Sequence, residues 1–499
     1  MQGNRFSLLV SLVVIFGLTL TACWPGAVGQ PRRGDEPAVV QAAVQIESTP
    51  LNTPLFGAPA GDVEGTQQLL PQATPTPLPE TSAQAAGASA AAEDSDAAVP
   101  AAWFDLAYRL ARDEKLPPPL ASRLFGYAGV GLYEAVAPGI PGAASLAGQL
   151  NELAALPQPD APAEYHWPAV ANAALATLFR TLLTGASGET QLAIMELERR
   201  FEDEFAVVAG PEVLQRSRAQ GQSVGLAVFD WAQADGFAYL NNCAYTPPSG
   251  PGLWQPTPPG YASPLQPCWG QMRPFVLRER SDECQPPAAA TPIYSEEPSS
   301  PFFFEALEVY QTVQNLTLEQ AEVARFWADD VGKTGTPPGH NISVLTQIVR
   351  ERGLALDAAA EAYARLGVGL ADSFISCWQT KFVTSIPRPV TYINDLIDPA
   401  WTSPVVTPPF PEYTSGHSVQ SGAAAAVLTA LFGDDFAITD HTHDALGYAP
   451  RPFPSFQAMA AEAAISRLYG GIHYRSAIEV GLEQGACIGE RVNALQLRP

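Results

Sequence analysis

The sequence Ser415-Gly416-His417-Ser-Val-Gln-Ser-Gly-Ala-Ala-Ala-Ala-Val-Leu-Thr-Ala-Leu-Phe432, followed by Gly433, predicts a helix of small residues that ends at the glycine. Ser415 is suited to cap this helix, because its hydroxyl can accept a hydrogen bond from a free backbone amide. The remaining free amides and the helix dipole favour a bound anion. Gly416 lets a ligand approach the backbone, and His417 stands beside it, where it can transfer a proton. An ordinary capped helix with an exposed histidine is the alternative.

A second cluster precedes this helix in Lys381-Phe-Val-Thr-Ser-Ile-Pro-Arg388-Pro389. Proline disfavours a continuous helix here, so Lys381 is expected near a helix end and Arg388 on an extended return segment. Arginine is planar and permanently charged, whereas lysine is a movable point charge, and both can face one pocket. Two cations near a helix C-terminus can instead simply interact with the helix dipole.

The third cluster is Arg467-Leu-Tyr-Gly-Gly-Ile-His473. Arg467 is predicted near the end of one helix and His473 at the start of the next, with the glycine pair as a sharp turn. A core histidine bonded to a carbonyl is the alternative for His473. The three clusters together offer three cations, a helix N-terminus and two imidazoles. This combination suits a tetrahedral oxyanion with acid–base or covalent chemistry beside it.

Helical periodicity dominates the rest of the chain and strand-like alternation is almost absent, so we predict an all-α fold. Residues 240–300 are rich in proline, glycine and aromatic residues and form either the wall of a site or a linker between two bundles. Residues 327–340 read as a loop that carries Asp329, Lys333 and His340 as accessory titratable groups. The predicted helices are 103–112, 120–136, 167–183, 189–206, 211–234, 301–314, 318–328, 342–352, 355–381, 416–432, 456–467 and 475–493.

The formal net charge of the 499 residues is −24, which argues against nucleic acid or an anionic membrane surface as a partner. An anion site in this acidic chain must therefore be a local positive pocket. Apolar residues amount to 46%, enough for a large core.

The N-terminus predicts export. Residues 1–22 resemble a signal peptide, and Cys23 directly after Leu20-Thr-Ala22 resembles the lipidated residue of a bacterial lipoprotein. An ordinary signal peptide or an uncleaved anchor is the alternative. Residues 23–98 have the composition of a disordered tether, and residues 99–499 are expected to fold. The chain would thus be lipid-anchored to the cell membrane on its outer side.

The other cysteines predict at least one free or intermolecular thiol, because five remain after Cys23. Cys243, Cys268 and Cys284 share a loop-rich region, so a disulfide among them is expected. Cys377 and Cys487 lie in helical patterns and are expected to be buried thiols. No cysteine spacing matches a zinc site.

In their order and spacing, the three clusters resemble the vanadium-dependent haloperoxidases, which share a fold and an active site with bacterial acid phosphatases and type-2 phosphatidic acid phosphatases. Their pattern is Lys, six residues and Arg-Pro, then Pro-Ser-Gly-His, then Ser-Arg, five residues and His. The resemblance covers about 100–499 and is sharpest within 327–499. The matching residues are Lys381, Arg388-Pro389, Ser415-Gly416-His417, Ser466-Arg467 and His473, with Trp378 and Phe410 matching chloroperoxidase-like members.

This resemblance implies a vanadate cofactor with His473 bound to vanadium. It implies that hydrogen peroxide binds, that His417 takes its proton, and that Lys381 polarises it for attack by a halide to give hypohalous acid. Trp378 and Phe410 would line the approach of the halide. The residues implied to hold the oxyanion are Lys381, Arg388, Ser415, Gly416 and Arg467.

A phosphatase is the alternative enzyme in the same superfamily, with His473 as nucleophile on a small phosphoester and His417 as acid. A non-catalytic oxyanion-binding lipoprotein is a third. Two positions depart from the family pattern: Thr414 replaces proline, and Ala477 stands where many members have an aspartate that orients the histidine. Glu479 is near, but on a different face of the predicted helix.

Overall fold

Helices form almost all the regular secondary structure of the described residues, as the all-α prediction requires. The structure is a computed structural model that describes residues 91–278 and 283–498. Within those ranges a single sheet joins two short antiparallel strands, β1 (Ile438–Asp440) and β2 (Arg451–Phe453). The first helices are α1 (Ala98–Asp113), α2 (Pro118–Val136), α3 (Trp167–Leu182), α4 (Gly188–Phe205), α5 (Pro211–Gln233) and α6 (Phe237–Leu240). The later ones are α7 (Pro301–Gln314), α8 (Leu318–Phe326), α9 (Thr336–Arg352), α10 (Leu356–Thr384), α11 (Pro389–Leu396), α12 (Gly416–Phe432), α13 (Phe456–Tyr469) and α14 (Arg475–Asn493).

Close helix contacts fix the two helices that carry the first site residues. α10 packs on both α2 and α12, and α12 packs on α14. A Cβ atom on Gly129 of α2 would lie 2.4 Å from the carbonyl oxygen of Tyr363 in α10. A Cβ atom on Gly485 of α14 would lie 2.0 Å from the carbonyl oxygen of Val419 in α12. Any larger residue at either glycine would push these helices apart.

The largest buried apolar cluster draws on helices before and after the 240–300 segment. Trp103 and Phe125 come from the first group of helices, and Leu366 and Val427 come from the second. The two groups therefore share one core, which sets α10 in the middle of the molecule.

The 240–300 segment is fastened to α10 by a buried carboxylate. Asp372 accepts hydrogen bonds from the backbone amides of Phe275, Val276 and Leu277 at 2.6, 2.8 and 3.0 Å. Burial raises the pKa of Asp372 to about 6, although these amides oppose the shift. The segment thus lies against α10, and its Leu265 reaches the cavity described below.

Two disulfides hold the same segment. Cys243–Cys268 is a bridge of the kind predicted within the loop-rich region. Cys284–Cys487 corrects the expectation that Cys487 is a buried thiol, because the segment crosses α14 at a sequence separation of 203. Cys377 is a buried free thiol, as predicted.

Several helix boundaries differ from the predictions: α1 starts at Ala98 rather than at 103, for example, and two further differences involve proline. α9 begins at Thr336, so Pro337 and Pro338 lie in its first turn, where proline is tolerated, and His340 is helical rather than in a loop. α11 was not predicted, and it starts directly at Pro389. Arg388 before it is extended, with φ −69° and ψ 152°, as predicted.

Ordered structure starts earlier than the predicted boundary at residue 99. Ala92 is fully buried in a short 3₁₀ turn, and Asp96 forms a β-bridge with Ala355. Residues 91–98 are therefore part of the fold rather than of a tether. The predicted signal peptide, Cys23 and the remainder of the tether lie outside the described residues. Among the helices that are described, none is both long and apolar enough to cross a membrane.

Candidate active site

The N-terminus of α12 forms one side of the site. The Ser415 hydroxyl accepts a hydrogen bond from the Ser418 amide at 3.3 Å, which confirms Ser415 as the cap. That hydroxyl keeps its own proton for a second partner. A Cβ atom on Gly416 would meet only the Trp378 ring, at 3.8 Å, so the space before the helix is open. His417 lies at the edge of this space, half-buried.

Arg388 and His473 meet directly at the site. The Nη1 of Arg388 lies 3.1 Å from the Nε2 of His473 and 2.8 Å from the carbonyl oxygen of Ile472. Its Nε donates to the carbonyl oxygen of Phe410 at 2.8 Å. Because a guanidinium group can only donate, Nε2 of His473 must carry a lone pair. The Nη2 of Arg388 is buried and has no partner among the described residues.

Glu412 is the carboxylate that orients His473. Its Oε1 lies 2.7 Å from the Nδ1 of His473 and accepts from the Tyr474 amide at 2.9 Å. Nδ1–H therefore donates to Glu412, and the tautomer of His473 is fixed from both sides. The sequence suggested that Ala477 leaves His473 without such a partner. The structure corrects this, because Glu412 takes that role from a different segment, 61 residues away.

Lys381 is fully buried but does not line the cavity. Its Nζ donates to the carbonyl oxygens of Pro411 and Glu412 at 3.1 and 2.9 Å, and also to that of Thr414. This placement differs from the direct oxyanion contact implied by the resemblance. The Thr414 hydroxyl donates to Oε1 of Gln484 at 2.6 Å, so hydrogen bonds hold the 411–414 loop where the family uses a proline ring.

Arg467 reaches the cavity from the end of α13. Its Nε donates to the Ser466 hydroxyl at 2.8 Å and its Nη2 donates to the carbonyl oxygen of Ala324 at 3.0 Å. These bonds orient the guanidinium group while it remains part of the cavity wall.

Burial destabilises all three cations of the site. It lowers the pKa of Lys381 to about 8 and those of Arg388 and Arg467 to about 10. Each would gain from an anion in the cavity, because a buried charge is costly unless it is paired.

The two imidazoles are held neutral. Burial, followed by the charges of Arg388 and Lys381, lowers the pKa of His473 well below its usual value. Burial and then Arg467 lower the pKa of His417 in the same way. Burial raises the pKa of the Glu412 carboxyl to about 8, although Lys381 and Arg388 oppose the rise. The groups that contact His473 therefore carry more positive than negative charge.

A cavity of about 220 Å³ opens over these groups. Its polar end is formed by Gly416, His417, Arg467 and His473. Its apolar end includes Phe374, Trp378, Phe410, Leu265, Val405 and Ile472. The rings of Trp378 and Phe410 are 4.8 Å apart, and the Phe410 ring lies 4.9 Å from the Arg388 guanidinium. Both aromatic residues thus occupy the wall that the sequence predicted for them.

The three accessory residues, Asp329, Lys333 and His340, lie in different environments. Lys333 has a side chain that is 72% exposed and pairs with Asp330 at 2.8 Å; Asp330 lines the cavity, whereas Lys333 does not. Asp329 lines the cavity and also contacts His340 in a neighbouring buried cluster. Glu412 is the site residue that sequence analysis missed, because nothing in the local pattern at 412 indicates a contact with residue 473.

An all-α fold with buried cations and neutral imidazoles around a helix N-terminus is an arrangement suited to an oxyanion. A family model described as the VCPO second helical-bundle domain matches residues 361–498. The chain belongs to the vanadium-dependent haloperoxidase family, as the resemblance predicted.

Solved structures support this assignment. The chain is similar to the first bacterial vanadium-dependent iodoperoxidase, with 37% identity and a TM-score of 0.71 over 81% of this chain and 97% of that one. It shares its fold with a bacterial vanadium-dependent chloroperoxidase in the holo form, at 16% identity and a TM-score of 0.60 over 77% and 92% of the two chains. The apo form of a bacterial vanadium-dependent chloroperoxidase is 15% identical, with a TM-score of 0.58 over 76% of this chain and 94% of that one. No curated protein sequence matches significantly.

The residues present fit a vanadate group. The Nη2 of Arg388 and the Nε2 of His417 are buried polar atoms with no partner in the described part of the chain. Both belong to the site, where they leave a donor and an imidazole nitrogen free for an oxyanion. The open space before Gly416 leaves room for one at the helix N-terminus.

Proposed function

We propose that this chain is a vanadate-dependent haloperoxidase that oxidises halide with hydrogen peroxide to hypohalous acid. The observation that carries the proposal is the neutral His473, whose Nε2 lone pair faces the buried cations while Glu412 holds its Nδ1–H. A neutral imidazole with one nitrogen fixed by a carboxylate is the arrangement that metal ligation requires. The similarity to an iodoperoxidase supports the type of reaction.

The residues around His473 would hold the vanadate oxygens. Arg388 offers its free Nη2, and Arg467 offers its guanidinium group from the opposite helix. Ser415 would donate its hydroxyl proton, and the Gly416 amide would donate along the axis of α12. When bound, vanadate supplies a Lewis acid that activates hydrogen peroxide toward a halide without changing its own oxidation state.

His417 would move the proton. Its pKa is lowered by burial, so it is neutral and can accept a proton from hydrogen peroxide. The balanced reaction takes hydrogen peroxide, halide and one proton to hypohalous acid and water, so the same proton can be returned to the departing oxygen. Lys381 would act through the 411–414 loop, because its Nζ is bonded to the carbonyl oxygens there.

The apolar wall would receive the halide. Trp378 and Phe410 present ring surfaces at the cavity, and the cations behind Phe410 make this end attractive to an anion. This apolar wall would also limit the access of water to the oxidised halide.

The test uses the full chain stripped of metal and assayed with orthovanadate, hydrogen peroxide and either iodide or bromide. We expect halide oxidation that requires vanadate and is lost in His473→Ala. His441→Ala is the matched control, because His441 is an exposed histidine paired with Asp444 and remote from the cavity wall. Oxidation that persists in His473→Ala would reject the proposal.

A phosphatase would give a different result in the same experiment. Phosphate release from an aryl phosphate, with inhibition by vanadate and no halide oxidation, would replace the haloperoxidase by the phosphohistidine mechanism. If calorimetry detected oxyanion binding but neither activity was present, the chain would be a non-catalytic oxyanion-binding protein.

We also propose that the chain is exported and lipid-anchored through Cys23, on the basis of its N-terminal sequence. Cys23→Ser should then release the protein from membranes. A variant that stays with the membrane fraction would instead indicate an uncleaved anchor.

A further inference from the structure

A second group of buried titratable residues lies next to the cavity wall. Asp329, His340, Asp440 and His443 are all at most 4% exposed. Asp329 follows α8, His340 lies in α9, Asp440 ends β1, and His443 lies in the loop after β1. Four separate parts of the chain thus place two carboxylates and two imidazoles at one point.

Three of these residues are spaced as ligands of one metal ion. Oδ1 of Asp329 lies 3.2 Å from Nδ1 of His340 and 3.1 Å from Nε2 of His443. The three ligand atoms all lie within 4.8 Å of one another. Tetrahedral zinc ligands at the usual bond lengths are about 3.3 Å apart, so only small shifts are needed to admit an ion.

The fourth residue is placed to orient a ligand. Oδ2 of Asp440 lies 2.6 Å from Nε2 of His340, the nitrogen that points away from Asp329. A metal-bound histidine usually donates its other N–H to a carboxylate in this way. The ring of Trp327 stacks on His340 at 4.5 Å, and Phe326 lies 5.0 Å from His443, so an apolar shell encloses the group.

The charges of the cluster favour a divalent cation. Two buried carboxylates need about two positive charges for balance. Of the nearby cations, Lys333 pairs with Asp330 and Arg451 pairs with Glu462. Arg467 attracts Asp329 through the cavity wall, but its hydrogen bonds go to Ser466 and Ala324, and it forms no ion pair with the cluster. A single charged imidazole would leave one negative charge uncompensated.

We infer that Asp329, His340 and His443 bind one zinc ion, with Asp440 orienting His340. Two imidazoles and a carboxylate are a ligand set that zinc accepts, with a fourth position left for water. The site shares no ligand with the oxyanion site and takes a cation rather than an anion.

The ion would join two distant segments. Asp329 and His443 are separated by 114 residues, and closing so long a loop stabilises the folded state. Since Asp329 also lines the cavity, zinc would fix one wall beside Arg467. Its role would be structural support rather than contact with peroxide or halide.

The test is the zinc content of the purified full chain, measured by mass spectrometry after production with zinc and extensive desalting. We expect about one zinc per chain. His443→Gln should lose the ion. His441→Gln, two positions away and exposed, should keep it, and so should His473→Gln in the oxyanion site.

Cobalt(II) binding to the wild-type protein is a second test, which does not require that His443→Gln folds. Cobalt(II) added to metal-depleted wild-type protein should produce the visible absorption of a tetrahedral nitrogen–oxygen site. Folded wild-type protein that holds no zinc and gives no such band would reject the inference and leave a hydrogen-bonded Asp–His network. Zinc that is lost from His473→Gln but kept by His443→Gln would also reject it. Neither readout depends on halide oxidation.

Discussion

The oxyanion site and the Asp329 cluster are neighbours with opposite electrostatics. Each contains a buried histidine bonded to a carboxylate: His473 with Glu412, and His340 with Asp440. In the first, burial and cations lower the pKa of the histidine well below its usual value. In the second, burial opposes but Asp329 and Asp440 prevail, and the pKa of His340 rises to about 10.

This difference shows that the residue types do not decide the ligand. The charges next to each histidine differ, because a guanidinium group contacts His473 whereas carboxylates lie on both sides of His340. The following experiments test that contrast, beginning with the largest expected effect.

Arg388→Ala should weaken halide oxidation about 100- to 1,000-fold, the usual loss when one preorganised donor to an oxyanion is removed. Arg388 is the cation whose guanidinium group contacts His473 and keeps a free Nη2. Steady-state kinetics with added vanadate measures the loss. Arg199→Ala, at an exposed position on α4, is the control, and equal losses in both variants would contradict the assignment.

Glu412→Gln should lower vanadate affinity about 10- to 100-fold, as expected for a carboxylate that orients a metal-bound histidine. Glutamine preserves the size of the side chain, but its amide is a weaker acceptor for the Nδ1–H of His473. Calorimetry measures the affinity, and zinc content should stay unchanged. Undiminished affinity would show that Glu412 only supports the loop.

Asp440→Asn is the counterpart in the other cluster. It should lower zinc affinity about 10- to 100-fold for the same reason, with vanadate affinity nearly unchanged. Competition with a zinc chelator gives the first value and calorimetry the second. If Asp440→Asn lowered zinc affinity and vanadate affinity equally, binding at the two sites would be coupled.

Raising the pH through about 8 should weaken vanadate binding. Burial brings the pKa values of Glu412 and Lys381 each to about 8. As pH rises, Glu412 gains a negative charge and Lys381 loses a positive one, so the attraction for an anion falls. The ratio of wild-type to Glu412→Gln affinity across pH separates this effect from the ionisation of vanadate itself. A flat ratio would contradict it.

Lys333→Ala should have the smallest effect, within about twofold on activity, because exposed ion pairs contribute little. Lys333 is exposed and bonded to Asp330 rather than directed into the cavity. Kinetics under the conditions used for Arg388→Ala provides the comparison. A loss of activity as large as that of Arg388→Ala would show that Lys333 belongs to the site.

Much of the fold follows from local patterns. α7 and α14 have the predicted bounds, and Ser415 caps α12, because these signals depend on residues within a few positions. α11 and the start of α9 were missed because proline reads as a helix breaker in sequence, although it is compatible with a first helical turn.

The sequence named candidate site residues but not the contacts between them. The family pattern selected Arg388, Arg467 and His473; the structure places Arg467 and His473 in the cavity wall and Arg388 in contact with His473. The partnership of Glu412 with His473 depends on where the 411–414 loop crosses α14, which no local pattern records. The contacts within the Asp329 cluster were missed for the same reason, because its members are spread from residue 329 to residue 443.

The burial of the cysteine and methionine side chains affects how well the protein resists oxidation. A catalyst that releases a strong oxidant exposes its own thiols and thioethers to damage. Here four cysteines are already joined as disulfides, and Cys377, the free thiol of the described residues, is 1% exposed. Met272 and Met459 are buried, and the exposed Met195 lies on α4, away from the cavity. The described residues therefore expose few sulfur atoms to the hypohalous acid that the proposed reaction would release, which would favour a long working life.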